Sequence, residues 1–174
     1  AKANKVHFKF EGTVLAGTPA LNLCLNNLAA SGIKKIEGIL NGTTNYILTE
    51  MENGLAYETA LSKAKELGYA EADPTGDIEG WDALGKVVIL SNVVLDQPLT
   101  KDDVVRQGIA GIKSTDIESA RSEGKRYKLI ARMTVLDDGS VEASVKPEKI
   151  PYSHPLASVS GPTNALTFHT DLTE

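Results

Sequence analysis

The sequence predicts an α+β fold: a mixed, mainly antiparallel sheet with helices packed on one face. Two observations carry that prediction. Residues 19–95 show apolar side chains at helical spacing between glycine stops, whereas residues 127–145 hold two alternating apolar runs. The runs are joined by Asp137-Asp138-Gly139-Ser140, a strong hairpin signal. Helices early and paired strands late give an antiparallel-rich sheet that closes in the last third. At 174 residues and 41% hydrophobic, the chain suits a single domain over 1–174 with an adequate core.

Taken in order, residues 5–15 alternate Val6, Phe8 and Phe10 with His7 and Lys9, which predicts a strand ending at Glu11-Gly12. The next stretch, GTVLAGTP, has the glycine spacing of a phosphate loop. Thr18-Pro19 stands where Lys-Ser/Thr would be required, so a phosphate loop is excluded. An acid followed by a glycine-bearing turn can aim backbone carbonyls at a hard cation, and an ordinary strand-to-helix turn has the same spacing. Pro19 suits the first turn of a helix that runs on its leucines to Ser31-Gly32. A short strand over 33–40 follows, then the polar turn Asn41-Gly42-Thr43-Thr44-Asn45 with helix caps. Asn41-Gly42-Thr43 matches the glycosylation triplet, which is discounted because the first residues lack the apolar core of a secretory signal.

Helices are expected over 44–53 and 56–67, the second ending at Gly68. Asp77 is expected to cap a long helix to Leu95, broken by Asp96-Gln97-Pro98. Residues 101–124 should hold a short strand and a helix. Strands are expected over 127–136, 141–145, 156–160 and 165–170, punctuated by Pro147, Pro151 and Pro155.

A net charge of −5 with scattered cations excludes a nucleic-acid surface. No run is long or apolar enough to cross a membrane, and a cytoplasmic protein is expected. Cys24, the single cysteine, lies in an apolar pattern and reads as a small core residue. His7, His154 and His169 show no metal spacing.

The chain is organised around residues 68–86, GYAEADPTGDIEGWDALGK. Glu71, Asp73, Asp77, Glu79 and Asp82 crowd about one cation, Lys86. Asp82 and Lys86 are spaced i and i+4 and share a helix face, yet Lys86 leads directly into the apolar run Val87, Val88, Ile89 and Leu90. Burial should disfavour the ammonium and the carboxylate one turn away should favour it, as an acid-base group requires. Gly80 and Gly85 weaken the helix and suggest a close neighbour. The surplus of acid suits a substrate that carries its own ammonium group.

The segments GILNGTTNYIL (38–48), ELGYAEADPTGD (66–77) and GWDALGK (80–86) resemble the catalytic domain of homoserine dehydrogenase. FEGTVLAGTP (10–19) and HPLASVSGPTNALTFHTD (154–171) extend the likeness to nearly the whole chain. The resemblance implies NAD(P)-dependent interconversion of L-homoserine and L-aspartate 4-semialdehyde, a step toward threonine, methionine and isoleucine, in a homodimer. It implies Lys86 as the acid-base lysine with Asp82 as its partner, and Glu71 and Asp77 as homoserine-binding acids. Gly42, Thr43 and Tyr69 would line the substrate, and Gly68 would touch the cofactor. It also implies a sodium or potassium ion held by Glu11 and the carbonyls of Val14, Ala16 and Thr18.

The departures are specific. No Gly-x-Gly-x-x-Gly precedes Val6, so the dinucleotide-binding domain is absent, and so is the glycine-rich segment that returns to it in the family. Ala3-Asn4-Lys5 resembles the family's Ala-Asn-Lys motif on that missing domain, but here it runs straight into the Glu11 strand, so Lys5 is read as the end of a surface helix or linker. The expectation is a catalytic domain unable to turn over alone. The other reading is a non-catalytic oligomerisation or amino-acid-binding module that keeps the fold.

Overall fold

The computed structural model describes residues 2–28 and 30–172. Five strands, β1 (Ile33–Ile39), β2 (Val104–Arg106), β3 (Lys125–Val135), β4 (Val141–Pro151) and β5 (Ala165–Thr170), form one sheet in the order β2-β4-β3-β1-β5. Only β2 and β4 run parallel; the other neighbours are antiparallel, with Ile36 opposite Met133 on one side and Phe168 on the other. The helices are α1 (Ala20–Asn22, continued by a π-helical turn Leu23–Asn27), α2 (Gly42–Glu52), α3 (Tyr57–Glu66), α4 (Thr75–Ile78), α5 (Trp81–Val94) and α6 (Ser114–Ser122).

Side chains alternate across a strand, so each strand sorts its residues between two faces. Ile36, Leu129, Ala131, Met133, Ala143 and Val145 face Ile47, Met51, Val87 and Leu90 of α2 and α5 in the main core. The opposite face keeps only a small cluster, Ile39, Ile130, Ile150, Leu156 and Ala157. The expected α+β layering, with helices on one side of the sheet, is what the chain adopts.

The β3–β4 hairpin closes as its turn residues dictate. Asp138 Oδ1 accepts from the Ser140 amide at 2.9 Å and from its hydroxyl at 2.6 Å. β4 runs beyond the expected Val145, through Pro147, to Pro151. β2 pairs only with residues 143–145, so past that point the outer side of β4 is a free edge and the missing proline donor costs nothing.

Four expectations are corrected. Residues 6–10 form no strand: Val6 and Phe8 are 59% and 74% exposed, and none of the five strands pairs with them. Alternation survives locally, with the Phe8 and Phe10 rings 5.6 Å apart, but without a partner the backbone cannot form a ladder. Glu11 opens a 3-10 turn, Glu11–Thr13, instead. Residues 156–160 are not a strand either; Pro155–Ser158 is a 3-10 turn capped by His154, whose Nδ1 accepts from the Leu156 amide at 3.2 Å. The helix after Pro19 ends at Asn27 rather than at Ser31-Gly32. Finally, Asp77 does not cap α5. It lies inside α4, and the chain enters α5 through Gly80 at φ +83, a conformation that favours glycine.

Candidate functional site

The site forms where β1 ends. Asn41, two residues beyond the strand, is the N-cap of α2: its Oδ1 accepts from the Thr44 amide at 2.9 Å. That leaves its amide nitrogen free to donate, and it does so twice, to Asp77 Oδ1 at 2.7 Å and to Asp82 Oδ2 at 2.9 Å. Asp82 Oδ2 also accepts from Lys86 Nζ at 2.7 Å, and the same ammonium donates to the Leu40 carbonyl at 2.7 Å. Two of the three donors of Lys86 are therefore spent on fixed acceptors, which aims the third. Lys86 is mostly buried, its side chain 18% exposed against 39% for Asp82.

The string Asp77, Asn41, Asp82, Lys86 thus joins α4, the cap of α2 and the first turns of α5. Asp82, Gly85 and Lys86 share one face of α5. A Cβ at Gly85 would meet nothing within 4 Å, so the helix surface is open at that residue and the close neighbour expected there is absent. Gly80 does have one, Val145 Cγ1, at 3.3 Å from a built Cβ.

Of the other expected site residues, Gly42 and Thr43 follow Asn41 directly and Tyr69 is tied to Thr43, whereas, among the described residues, Gly68 and Glu71 make no hydrogen bond to the string. The buried Thr43 donates its hydroxyl to the Tyr69 carbonyl at 2.5 Å, tying α2 to the segment that leads to Glu71. Tyr69 is 41% exposed, with its ring 4.9 Å from that of Tyr46. Gly68 ends α3 at φ +74 and is open above. Glu71 is exposed, two residues from the Thr43 tether. Gly42 is hemmed in: a Cβ there would lie 2.6 Å from the Pro162 carbonyl oxygen.

In the turn after Glu11, the Glu11 carboxylate accepts from the Leu21 and Asn22 amides at 2.8 and 2.9 Å, capping α1. Among the described residues, the Val14 and Ala16 carbonyls receive no backbone hydrogen bond, whereas the Thr18 carbonyl accepts from Ala20 at 2.8 Å. Carbonyl and carboxylate oxygens are the donor types a hard cation takes, and here both Glu11 oxygens already accept from amides. Lys5 follows a 3-10 turn, Lys2–Asn4, and is exposed.

Sequence reasoning missed Asn41, which it took only as a cap. The available signal was chemical: of the good capping side chains, asparagine alone combines an acceptor for the helix with two donors for neighbouring acids.

The homoserine dehydrogenase family model matches residues 19–174. The chain belongs to the homoserine dehydrogenase family. It is 51% identical over 172 residues to the NAD(+)-dependent homoserine dehydrogenase of Pseudomonas canavaninivorans, an alignment covering 99% of this chain and 49% of that protein. The homoserine dehydrogenase of Thiobacillus denitrificans superposes with a TM-score of 0.93 at 37% identity, over 98% of this chain and 40% of that one. A hyperthermophilic archaeal homoserine dehydrogenase in complex with NADPH superposes with a TM-score of 0.79 at 34% identity, over 98% of this chain and 48% of that one. The chain therefore spans half or less of the length of these relatives.

Proposed function

We propose that this chain is the substrate-binding and catalytic domain of an oxidoreductase that interconverts L-homoserine and L-aspartate 4-semialdehyde. The observation that carries the reading is the single carboxylate oxygen, Asp82 Oδ2, shared by Lys86 and by the Asn41 amide that also holds Asp77. It puts an aimed ammonium and two acids in one place.

In the reductive direction Lys86 donates its free proton to the aldehyde oxygen as that oxygen becomes the homoserine hydroxyl. In the oxidative direction the neutral amine takes the proton back. Asp82 and the Leu40 carbonyl, by accepting from the Lys86 ammonium, fix its direction. Asp77 and Glu71 pair the substrate ammonium, while Gly42, Thr43 and Tyr69 shape the wall around it. NAD(P), as NAD(+) for the Pseudomonas relative and as NADPH for the archaeal one, would supply the hydride acceptor or donor, and Gly68 would be the point of this domain that touches it. The remainder of its site belongs to a dinucleotide-binding domain outside these 174 residues.

Glu11 and the carbonyls of Val14, Ala16 and Thr18 would hold the sodium or potassium ion, tying the start of α1 to the turn before it. The outer sheet face suits a homodimer, because among the described residues its small cluster is capped only by the short turn Pro155–Ser158 while the main core packs on the other side. Among the described residues no helix is long and apolar enough to cross a membrane, and we place the protein in the cytoplasm.

The test joins the chain to a dinucleotide-binding domain from a relative and assays homoserine oxidation. Lys86→Ala should lower turnover by roughly a hundredfold or more, as loss of a positioned acid-base group does. Near-normal turnover would refute the role, and homoserine binding without any hydride transfer in the parent fusion would favour a binding module.

A further inference from the structure

Behind the site lies a second polar centre that the Lys86 chemistry does not use. Lys128, on β3, is 1% exposed. Its Nζ donates to the Val159 carbonyl at 2.6 Å and to Asn45 Oδ1 at 3.0 Å. Asn45, one turn along α2 from Asn41, donates its amide to the carbonyls of Gly161 at 2.9 Å, Thr163 at 3.1 Å and Val159 at 3.3 Å. The Gly161 amide donates in turn to Thr49 Oγ1 at 3.2 Å, and the Thr49 hydroxyl donates to the Asn45 carbonyl at 2.7 Å.

Three carbonyls from alternate residues therefore converge on one point, an arrangement that repels itself unless something cationic or donating fills the centre. Here the Lys128 ammonium and the Asn45 amide fill it. Burial, and after it the charge of Arg126, push Lys128 down to about 8, and Glu52, which works the other way, is itself paired with Arg126 at 3.1 Å. A lysine held at that cost, with one donor on the loop and another on the asparagine that gathers the loop's carbonyls, marks the loop's conformation as the thing being maintained.

The loop meets the site at Pro162. Its carbonyl oxygen lies so close to Gly42 that no side chain fits between them, and Gly42 is flanked by Asn41 and Thr43. We propose that Lys128 and Asn45 are positioning residues: by gathering the carbonyls of Val159, Gly161 and Thr163 they press Pro162 onto Gly42, and so fix the turn that presents Asn41 and Thr43. As far as substrate is concerned, this rests on the function proposed above.

The experiment measures amide hydrogen exchange and homoserine affinity in the 174-residue chain carrying Lys128→Met, Thr49→Val or Thr49→Ser. Losing one tether should speed exchange of the Gly161 and Thr44 amides about tenfold, leave the β3–β4 amides unchanged and weaken homoserine about tenfold. Thr49→Ser, which keeps the hydroxyl, should restore all three values. Faster exchange at Gly161 with Thr44 unchanged would overturn the proposal, because the clamp would then end at the loop; so would no change at either amide. If Lys128→Met does not fold, the Val and Ser pair at Thr49 carries the same comparison. Should the parent chain bind no homoserine, the substrate reading fails, and the Thr44 amide still decides for or against the clamp.

Discussion

Asn41→Asp separates the two jobs of that side chain. Aspartate is as good an N-cap as asparagine, so the bond from the Thr44 amide survives. The donor is lost, and the oxygen that replaces it faces Asp77 Oδ1 and Asp82 Oδ2 where the amide now sits at 2.7 and 2.9 Å. Two charges about 4 Å apart at an effective dielectric constant of about 20 repel by roughly 4 kcal/mol. The cluster escapes the full penalty by taking up a proton. Holding one carboxyl protonated at pH 7, about three units above its ordinary value, costs at most about 4 kcal/mol. Partial exposure of Asp82 and the nearby Lys86 lower that ceiling, so the expected loss at pH 7 is about 2 to 4 kcal/mol. That corresponds to roughly 4–16 °C in Tm for a chain of this size.

Measured against the parent at the same pH, this loss should shrink toward zero near pH 4.5, where the extra carboxyl is protonated and donates again. Asn41→Ala removes the cap at a cost of about 1 kcal/mol and leaves the two acids unbridged, so its deficit at pH 7 should persist in part on acidification. Chemical denaturation at the two pH values distinguishes the variants. An Asn41→Asp chain as stable as the parent at pH 7, or a deficit that acid does not relieve, would refute the bridge.

Gly42→Ala should cost about 1–3 kcal/mol, since the Pro162 backbone must move away from the new methyl group, and in the two-domain fusion it should raise KM for homoserine; thermal unfolding and steady-state kinetics check both. Leu90→Ala, at a fully buried position of α5, should cost about 2–5 kcal/mol by denaturant titration with the sheet otherwise intact. Glu123 is held down to about 2 by hydrogen bonds from Lys149 and then Lys125. A carboxyl lowered on folding stabilises above its ordinary value, near 4.5, and that contribution is lost as pH falls from there toward 2. Glu123→Gln should therefore flatten the stability profile on that acid limb, and an unchanged slope would argue against the pairing.

The sequence made the Asp82–Lys86 pair legible because its i, i+4 spacing survives in any helix, and the apolar run after Lys86 correctly implied partial burial. The late hairpin was legible for a similar local reason, the demands of its turn. What stayed hidden depended on partners distant in the chain. Phe8 and Phe10 alternate as a strand would, but alternation cannot report whether a sheet edge is available. The run after Pro155 has strand-like residues, yet His154 caps it into a helical turn. Asn41 looked like an ordinary cap because Asp77 and Asp82 lie 36 and 41 residues away. Lys128, in a strand with other cations, gave no sign that its ammonium would be buried among carbonyls.

The most direct test of the account is a structure of the two-domain fusion with homoserine bound. The substrate hydroxyl should lie within about 2.6–3.2 Å of Lys86 Nζ, with its ammonium against Asp77 and Glu71. A hydroxyl turned away from Lys86, or homoserine bound outside the space beside Gly85, would contradict it.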